Sequence, residues 1–378
     1  MKKQTIISLF IVILLGTGIF MYIGSNKSMQ QSVVKTITFS SERKVLLSDR
    51  TYRSTIEVGA IGDILLHDKV YEDAATGSGY DFTAMFKPVK ELLSSPDYTI
   101  ANQESIAGGS DLGLSSYPTF NSPYEISDTL KDVGIDLVTL ANNHSLDKGE
   151  KGILRAIDYY NKIGMPYVGI NKSENDRKRD RIAKVNGITI GFLSYTYGTN
   201  GIPIPDGKDY LVNYLDDQLI KQDIKNLRNK VDIILINAHW GLEYQREPSE
   251  EQRRLANLMA EAGADIIIGH HPHVLQPIEW IDKNKQRTLV VYSLGNFISA
   301  QKNDYKDIGG MVKVSISKEW SSNGNKATVD DVSFTPTYVT NQNYRDYRIK
   351  PFNNEEVFGQ EKTSKQELTD FMLDQLSN

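Results

Sequence analysis

Ala264-Asp265-Ile266-Ile267-Ile268-Gly269-His270-His271-Pro272-His273-Val274 passes without a break from a short apolar run into three histidines. Residues 249–262, just before it, carry apolar side chains at helical spacing, with Ser249 placed as N-cap and Gln252 completing a capping box. Gly263 stops that helix, and residues 264–268 are too few and too apolar to be anything but a buried strand. A helix leading into a strand that ends in polar chemistry is the repeating unit of an α/β sheet, which gathers its active site beyond the strand ends.

The same reading extends outward. The chain has six histidines, and the other three stand in similar places: His67 in Gly-Asp-Ile-Leu-Leu-His, His144 in Ala-Asn-Asn-His-Ser-Leu-Asp and His239 in Ala-His-Trp-Gly-Leu-Glu-Tyr. Strands are expected at 56–61, 98–101, 135–140, 167–169, 231–237 and 289–293. Helices are expected at 82–93, shortened or kinked by Pro88, and at 123–133, 149–163 and 217–229, with a last one at 364–376. Asn186-Gly187 between two apolar runs predicts a tight hairpin, and 310–316 with 330–339 a late antiparallel pair. This alternation defines an α/β domain with a mixed sheet or two stacked sheets.

Composition narrows the function. A formal net charge of -5 over 378 residues gives no basic footprint, so nucleic acid is not an expected partner. The absence of cysteine excludes disulfides, thiolate metal sites and a cysteine nucleophile. Lys2 and Lys3 precede an uncharged apolar stretch from 6 to 23, which at about 1.5 Å per residue nearly spans a ~30 Å hydrocarbon core. No small-x-small cleavage site follows, so residues 1–24 are expected to be one uncleaved transmembrane signal anchor with the rest of the chain outside the cell membrane. Residues 25–54 read as a polar tether, 55–345 as the folded domain and 346–378 as a charged C-terminal extension.

The islands carry the chemistry. Asp63 follows Gly62, which permits a tight backbone turn, and its carboxylate suits a cation, although a turn or capping aspartate has the same signature. Glu104, in Asn-Gln-Glu after a strand, can bridge two metals or be a solvated loop acid. Asn142 and Asn143 offer amide oxygens, His144 can act as general acid toward a leaving oxygen, and Asp147 can orient its ring. His239 ends another strand; Trp240 and Tyr244 read as packing and Glu243 as a supporting acid. In an extended backbone, favoured for His271 by Pro272, His271 and His273 leave one face together, and His270 points away in a supporting role. Carboxylates, amides and imidazoles without thiolate suit Mn, Fe or Zn, and their number suffices for two divalent ions, the arrangement used in phosphoester hydrolysis.

Asp63, Glu104, Asn142 to Asp147, His239 to Tyr244, His270 to Val274 and Asn296 in Ser-Leu-Gly-Asn-Phe together resemble the capsule-synthesis proteins of the CapA/PgsA type over roughly residues 55–300. The resemblance implies a part in making or exporting poly-γ-glutamate, an anionic polymer partner, membrane synthase subunits by analogy, and an anchored extracellular domain. That family is similar to a divergent branch of the calcineurin-like metallophosphoesterases, which implies a four-layer αββα sandwich. It also implies metal ligands at Asp63, Glu104, Asn143, His239, His271 and His273, with His144 and Asp147 catalytic. The first motif of that fold is Asp-x-His, whereas here His67 lies four residues after Asp63, and Glu104 stands for the usual bridging aspartate. Three functions follow: a metal-dependent phosphoesterase-like hydrolase, a non-catalytic component that binds polymer or scaffolds a synthase, and an amidase.

Overall fold

In a computed structural model, residues 51–284, 286–322, 324–353, 357–358 and 362–377 are described. The anchor and nearly all of the tether expected at the N-terminus lie outside them. Among the described residues no helix is long and apolar enough to cross a membrane.

Two mixed sheets carry the unit. In the first the order is β14 (Arg345–Pro351), β13 (Gly324–Gln342), β12 (Ile308–Ser321), β1 (Tyr52–Ile64), β2 (Tyr98–Gln103), β3 (Leu137–Thr139) and β4 (Tyr167–Val168), with β11 (Asn296–Ile298) also against β1. The second runs β5 (Ile182–Val185), β6 (Ile188–Thr196), β7 (Ile233–His239), β8 (Ile266–His270), β10 (Gln286–Leu294) and β9 (Leu275–Lys283). Strands β1 to β4 are mutually parallel, as are β6, β7, β8 and β10, so both sheets send carboxyl ends out in register.

Burial shows how the sheets stack. Ile56, Val58, Ala60 and Ile100 of the first sheet share one apolar core with Ile190, Leu235, Ile268 and Val291 of the second. Helices α1 (Glu125–Asp132) and α2 (Gly149–Ile163) cover the first sheet's other face through Ile126, Leu130, Ile153, Ile157 and Tyr160. Helices α3 (Asp217–Arg228) and α4 (Glu250–Ala262) cover the second through Ile220, Ile224, Leu227, Leu255 and Met259. Each stripe repeats every three or four residues, the spacing that keeps one helical face apolar. The capping box of Ser249 and Gln252 forms, and Gly263 ends α4 at φ 108°.

The hairpin turns at Asn186 and Gly187, both at positive φ, as its sequence requires. The expected helix at 82–93 is three short pieces, Thr83–Phe86, a 3-10 turn Lys87–Val89 and Lys90–Ser94, because Pro88 cannot continue the hydrogen-bond ladder. The late pair is longer than its apolar core suggests, and β9 and β14 were not legible as strands. Residues 346–351 continue the first sheet beside β13, and Leu368 and Met372 of α5 (Lys365–Leu373) enter the inter-sheet core. The C-terminal segment, expected to be an extension, packs as part of the same unit.

Candidate metal centre

Strand β1 runs past residue 61, its expected end, to Ile64, and its register against β2 shifts between Ile61 and Asp63. That irregularity positions the site. In a regular strand residues 61 and 63 share a face. Ile61 faces the helices, so an unbroken strand would turn Asp63 toward them as well. The extra residue returns Ile64 to the helix side and leaves Asp63 facing the second sheet. Gly62 serves close approach rather than the tight turn its sequence suggested: a Cβ there would lie 2.1 Å from the Gly295 carbonyl oxygen, and Asp63 N–H donates to that same oxygen at 2.8 Å.

Asp63 is fully buried. Its Oδ1 accepts from Asn102 Nδ2 at 2.8 Å and contacts His270 Nδ1 at 3.1 Å; its Oδ2 accepts from His271 N at 3.3 Å and lies 3.3 Å from His273 Nδ1. Burial alone would raise this carboxyl, but the bonds from His270 and His273 outweigh it and hold it well below the usual carboxylate range. His270 therefore faces into the cluster and not away from it. The extended backbone expected for His271 and His273 is also absent: they sit at φ 97° and 59°, so a left-handed double kink, not strand alternation, brings both rings to the site. Non-glycine residues in this region are uncommon and tend to mark functional sites.

Glu104 lies just beyond β2, fully buried, and neither carboxylate oxygen has a hydrogen-bond partner. The nearest imidazole nitrogens are His239 Nε2 and His273 Nε2, at 3.5 and 3.6 Å from Oε1. Burial pushes the carboxyl up to about 8. His273 is drawn the other way: burial lowers it, but Glu104 and Asp63 outweigh that and raise it to about 9. Asn143 Oδ1 meets His239 Nε2 at 2.8 Å, and the His239 and His271 ring centres are 4.8 Å apart. Both rings are held well below the usual histidine range, chiefly by burial, and are neutral, the form in which imidazole binds a cation. His271 Nδ1 is buried without a partner.

All six residues expected as ligands thus converge. The donor atoms of Asp63, Glu104 and His239 lie within 4.8 Å of one another, as do those of Glu104, His271 and His273, and Glu104 is common to both sets. An orphaned buried carboxylate costs about 1–3 kcal/mol or more unless something meets it. A cation shared between the two sets would meet it.

His144 and Asp147 stand beside the cluster. Asp147 Oδ2 is 2.7 Å from His144 Nδ1 and accepts from Phe120 N at 2.6 Å. The Phe120 ring lies edge-on between His144, at 4.6 Å, and His67, at 5.2 Å. His67 is apart from both ligand sets, and burial with nearby His273 lowers it to about 4. Trp240 is packing, as its sequence suggests: it is buried, stacks on Tyr292 and donates Nε1–H to Tyr292 O. Glu243 is exposed on the rim.

Sequence reasoning did not assign roles to Asn102, Phe120, Tyr197 and Asn200. Asn200 pairs with Asn143 at 3.2 Å and approaches His144 Nδ1 at 3.4 Å. The Asn-Gln-Glu motif could have flagged Asn102, since residues 102 and 100 share the inter-sheet face. Nothing in the local pattern marks the others, which arrive on loops.

Two carboxylates, an amide and three imidazoles buried between stacked sheets define an α/β protein able to hold divalent cations at its strand ends. The chain belongs to the family described as bacterial capsule synthesis protein PGA_cap, whose model matches residues 57–301. It is 31% identical over 268 residues to the PGA biosynthesis protein CapA of Bacillus subtilis, covering 67% of this chain and 66% of that one. With the capsule biosynthesis protein CapA of Bacillus anthracis it shares 33% over 252 residues, 64% of this chain and 59% of the relative. This chain thus spans somewhat less than two thirds of each relative's length. A NAD nucleotidase structure from Haemophilus influenzae overlaps it with a TM-score of 0.46 at 13% identity, covering 80% of this chain and 54% of the other. A phosphatase structure from Mycoplasma pneumoniae gives 0.44 at 12%, covering 78% and 97%.

Proposed function

We propose that the cluster holds two divalent transition-metal ions, Mn, Fe or Zn, and that the chain is a phosphoester hydrolase serving capsule or poly-γ-glutamate synthesis or export. The observation that carries this is Glu104, buried, without a hydrogen bond, and common to two ligand sets. The helix–sheet–sheet–helix layering is that of the metallophosphoesterases. Asp63 and His239 would help hold one ion and His271 and His273 the other, with Glu104 common to both sets and Asn143 beside His239. When bound, paired ions supply charge neutralisation and an activated water.

The chain's own groups do the rest. Asp147, held by Phe120 N–H, fixes His144 Nδ1 and so leaves His144 Nε2 to deliver a proton to the departing oxygen. His270 and His273 keep the Asp63 carboxylate ionised, and Asn102 helps orient it. On this reading residues 1–24 anchor the chain, the domain lies outside the membrane, and its partners are membrane synthase subunits and the anionic polymer.

One observation favours the second reading, a non-catalytic component that binds polymer or scaffolds a synthase. Where the phosphoesterase motif has a histidine, position 65 is a buried leucine. Elemental analysis separates the two. About two transition-metal ions per chain, lost in a His271→Ala, His273→Ala double variant, with phosphoester hydrolysis abolished by His144→Ala, support the hydrolase. No metal after reconstitution with Mn or Zn refutes it and leaves the scaffold.

A further inference from the structure

Asn143 is an amide among carboxylates and imidazoles, and an amide can face a cation the right way round or the wrong way. Its oxygen accepts and can meet a positive charge; its NH2 group carries only donors. The two ends are nearly alike in size, so close packing does not decide which of them points inward. Asn143 is 2% exposed, and its Oδ1 faces the cluster, 2.8 Å from His239 Nε2. What sets that orientation is whatever engages the NH2 group on the other side.

A single loop engages it. Asn143 Nδ2 donates to Asn200 Oδ1 at 3.2 Å, and the Tyr197 hydroxyl donates to the same oxygen at 3.4 Å. Burial pushes the Tyr197 phenol up to about 12, with the Asn143 amide drawing it back. Asn200 is exposed, yet its backbone is fixed. Tyr197 N–H donates to His239 O at 3.0 Å, at the very end of β7. Thr199 Oγ1 donates to Ile202 O at 2.6 Å and meets the Tyr214 hydroxyl at 2.7 Å. Asn200 and Gly201 then follow at φ 50° and 76°, a left-handed pair that asparagine and glycine accept.

An asparagine that only makes a turn has the same φ and needs no other role. The Asn200 carboxamide, however, reaches side chains more than fifty residues away in the chain: Asn143, and His144 Nδ1 at 3.4 Å. Turn formation alone does not call for those contacts.

We infer that Asn200 is a positioning residue: by accepting from Nδ2 it holds the Asn143 amide with its oxygen toward the cluster, and so gives the 197–202 loop a share in the affinity for metal. The inference rests on Asn143 serving beside the ions in the proposed hydrolase reading.

The test titrates Zn against a chelating dye in the full chain, with melting of the chelated samples alongside. Asn200→Gly keeps the left-handed turn and removes the acceptor. It should weaken binding of one ion about ten-fold and leave the metal-free melting temperature unchanged. Asn200→Asp keeps both turn and acceptor and should bind at least as tightly as the parent. Asn143→Asp has two like oxygens and no wrong way round, so adding Asn200→Gly to it should cost no further affinity. Asn200→Gly binding like the parent, Asn200→Asp falling with Asn200→Gly, or the same loss on the Asn143→Asp background overturns the inference. So does a drop in metal-free melting temperature that parallels the lost affinity, which would mark a folding role. A parent that takes up no Zn refutes the hydrolase reading and this inference together; a parent that binds Zn with indifference to Asn200 refutes the inference alone.

Discussion

The two ends of the second sheet treat their carboxylates in opposite ways. Asp232 precedes β7, and its oxygens are met by Lys318 Nζ, Thr189 N–H and Thr189 Oγ. Asp265 precedes β8 and is met by Arg228, Ile234 N–H and Gln286. At the opposite end, past β2 of the facing sheet and beside His239 of β7, Glu104 is more deeply buried than either and has no hydrogen bond. Burying a charge is tolerated where it is paired. Full satisfaction at one end and its absence at the other separates a carboxylate that holds the fold from one that waits for a cation.

The sharpest way to break this contrast is Glu104→Gln. It removes the shared ligand, so bound metal should fall from about two ions per chain to one or none, and hydrolysis by about a thousand-fold or more. The metal-free variant should match the metal-free parent to within about 1 kcal/mol, because the amide takes the place of a buried acid that burial already holds largely neutral. Chelator should lower the melting temperature of the parent by more than it lowers the variant's. A variant that melts below the metal-free parent would show that Glu104 is structurally satisfied, and the contrast would fail.

Next in size is the proton-transfer pair. His144→Ala should reduce hydrolysis by about 10²–10⁴-fold with metal content unaltered. Asp147→Asn should do the same less severely, since the amide still accepts from Phe120 N–H but supports the ring less well. Retained function in a capsule assay with His144→Ala would point to the scaffold.

How much of this was legible depends on where each residue sits. His239 and Glu104 could be read because an apolar run announces each strand and the polar residue follows it directly. The triad of histidines after β8 was legible as a cluster but not as a geometry. The positive φ of His271 and His273 comes from how the loop crosses Asp63, and their own spacing suggested strand alternation instead. Asp63 was legible as a candidate while its orientation was not, because a one-residue bulge leaves no mark in the sequence and reverses which face a side chain takes. Phe120, Tyr197 and Asn200 reach the site on loops, where no periodicity connects residue type to position. β9 and β14 escaped notice because polar and charged residues interrupt their apolar patterns.

The paired end of the sheet supplies the smallest effects and the cleanest control. Lys318→Met strands Asp232, a partly buried carboxylate, and should cost about 3 kcal/mol and lower the melting temperature by several degrees, with metal content unchanged. Acid should erase the benefit. Burial pushes the Asp232 carboxyl up, but Lys318 and Thr189 outweigh it and hold it below its ordinary value. A depressed carboxylate contributes stability above the unfolded value, about 3.9, and loses it as pH falls through the folded one. The stability gap between the parent and Asp232→Asn, read from denaturant melts, should therefore be level from pH 7 to about pH 5 and close below about pH 4. A gap that instead widened in acid would mean that the folded chain raises the Asp232 carboxyl above its unfolded value. The carboxylates at the two ends would then be shifted in the same direction, and the contrast between them would fail.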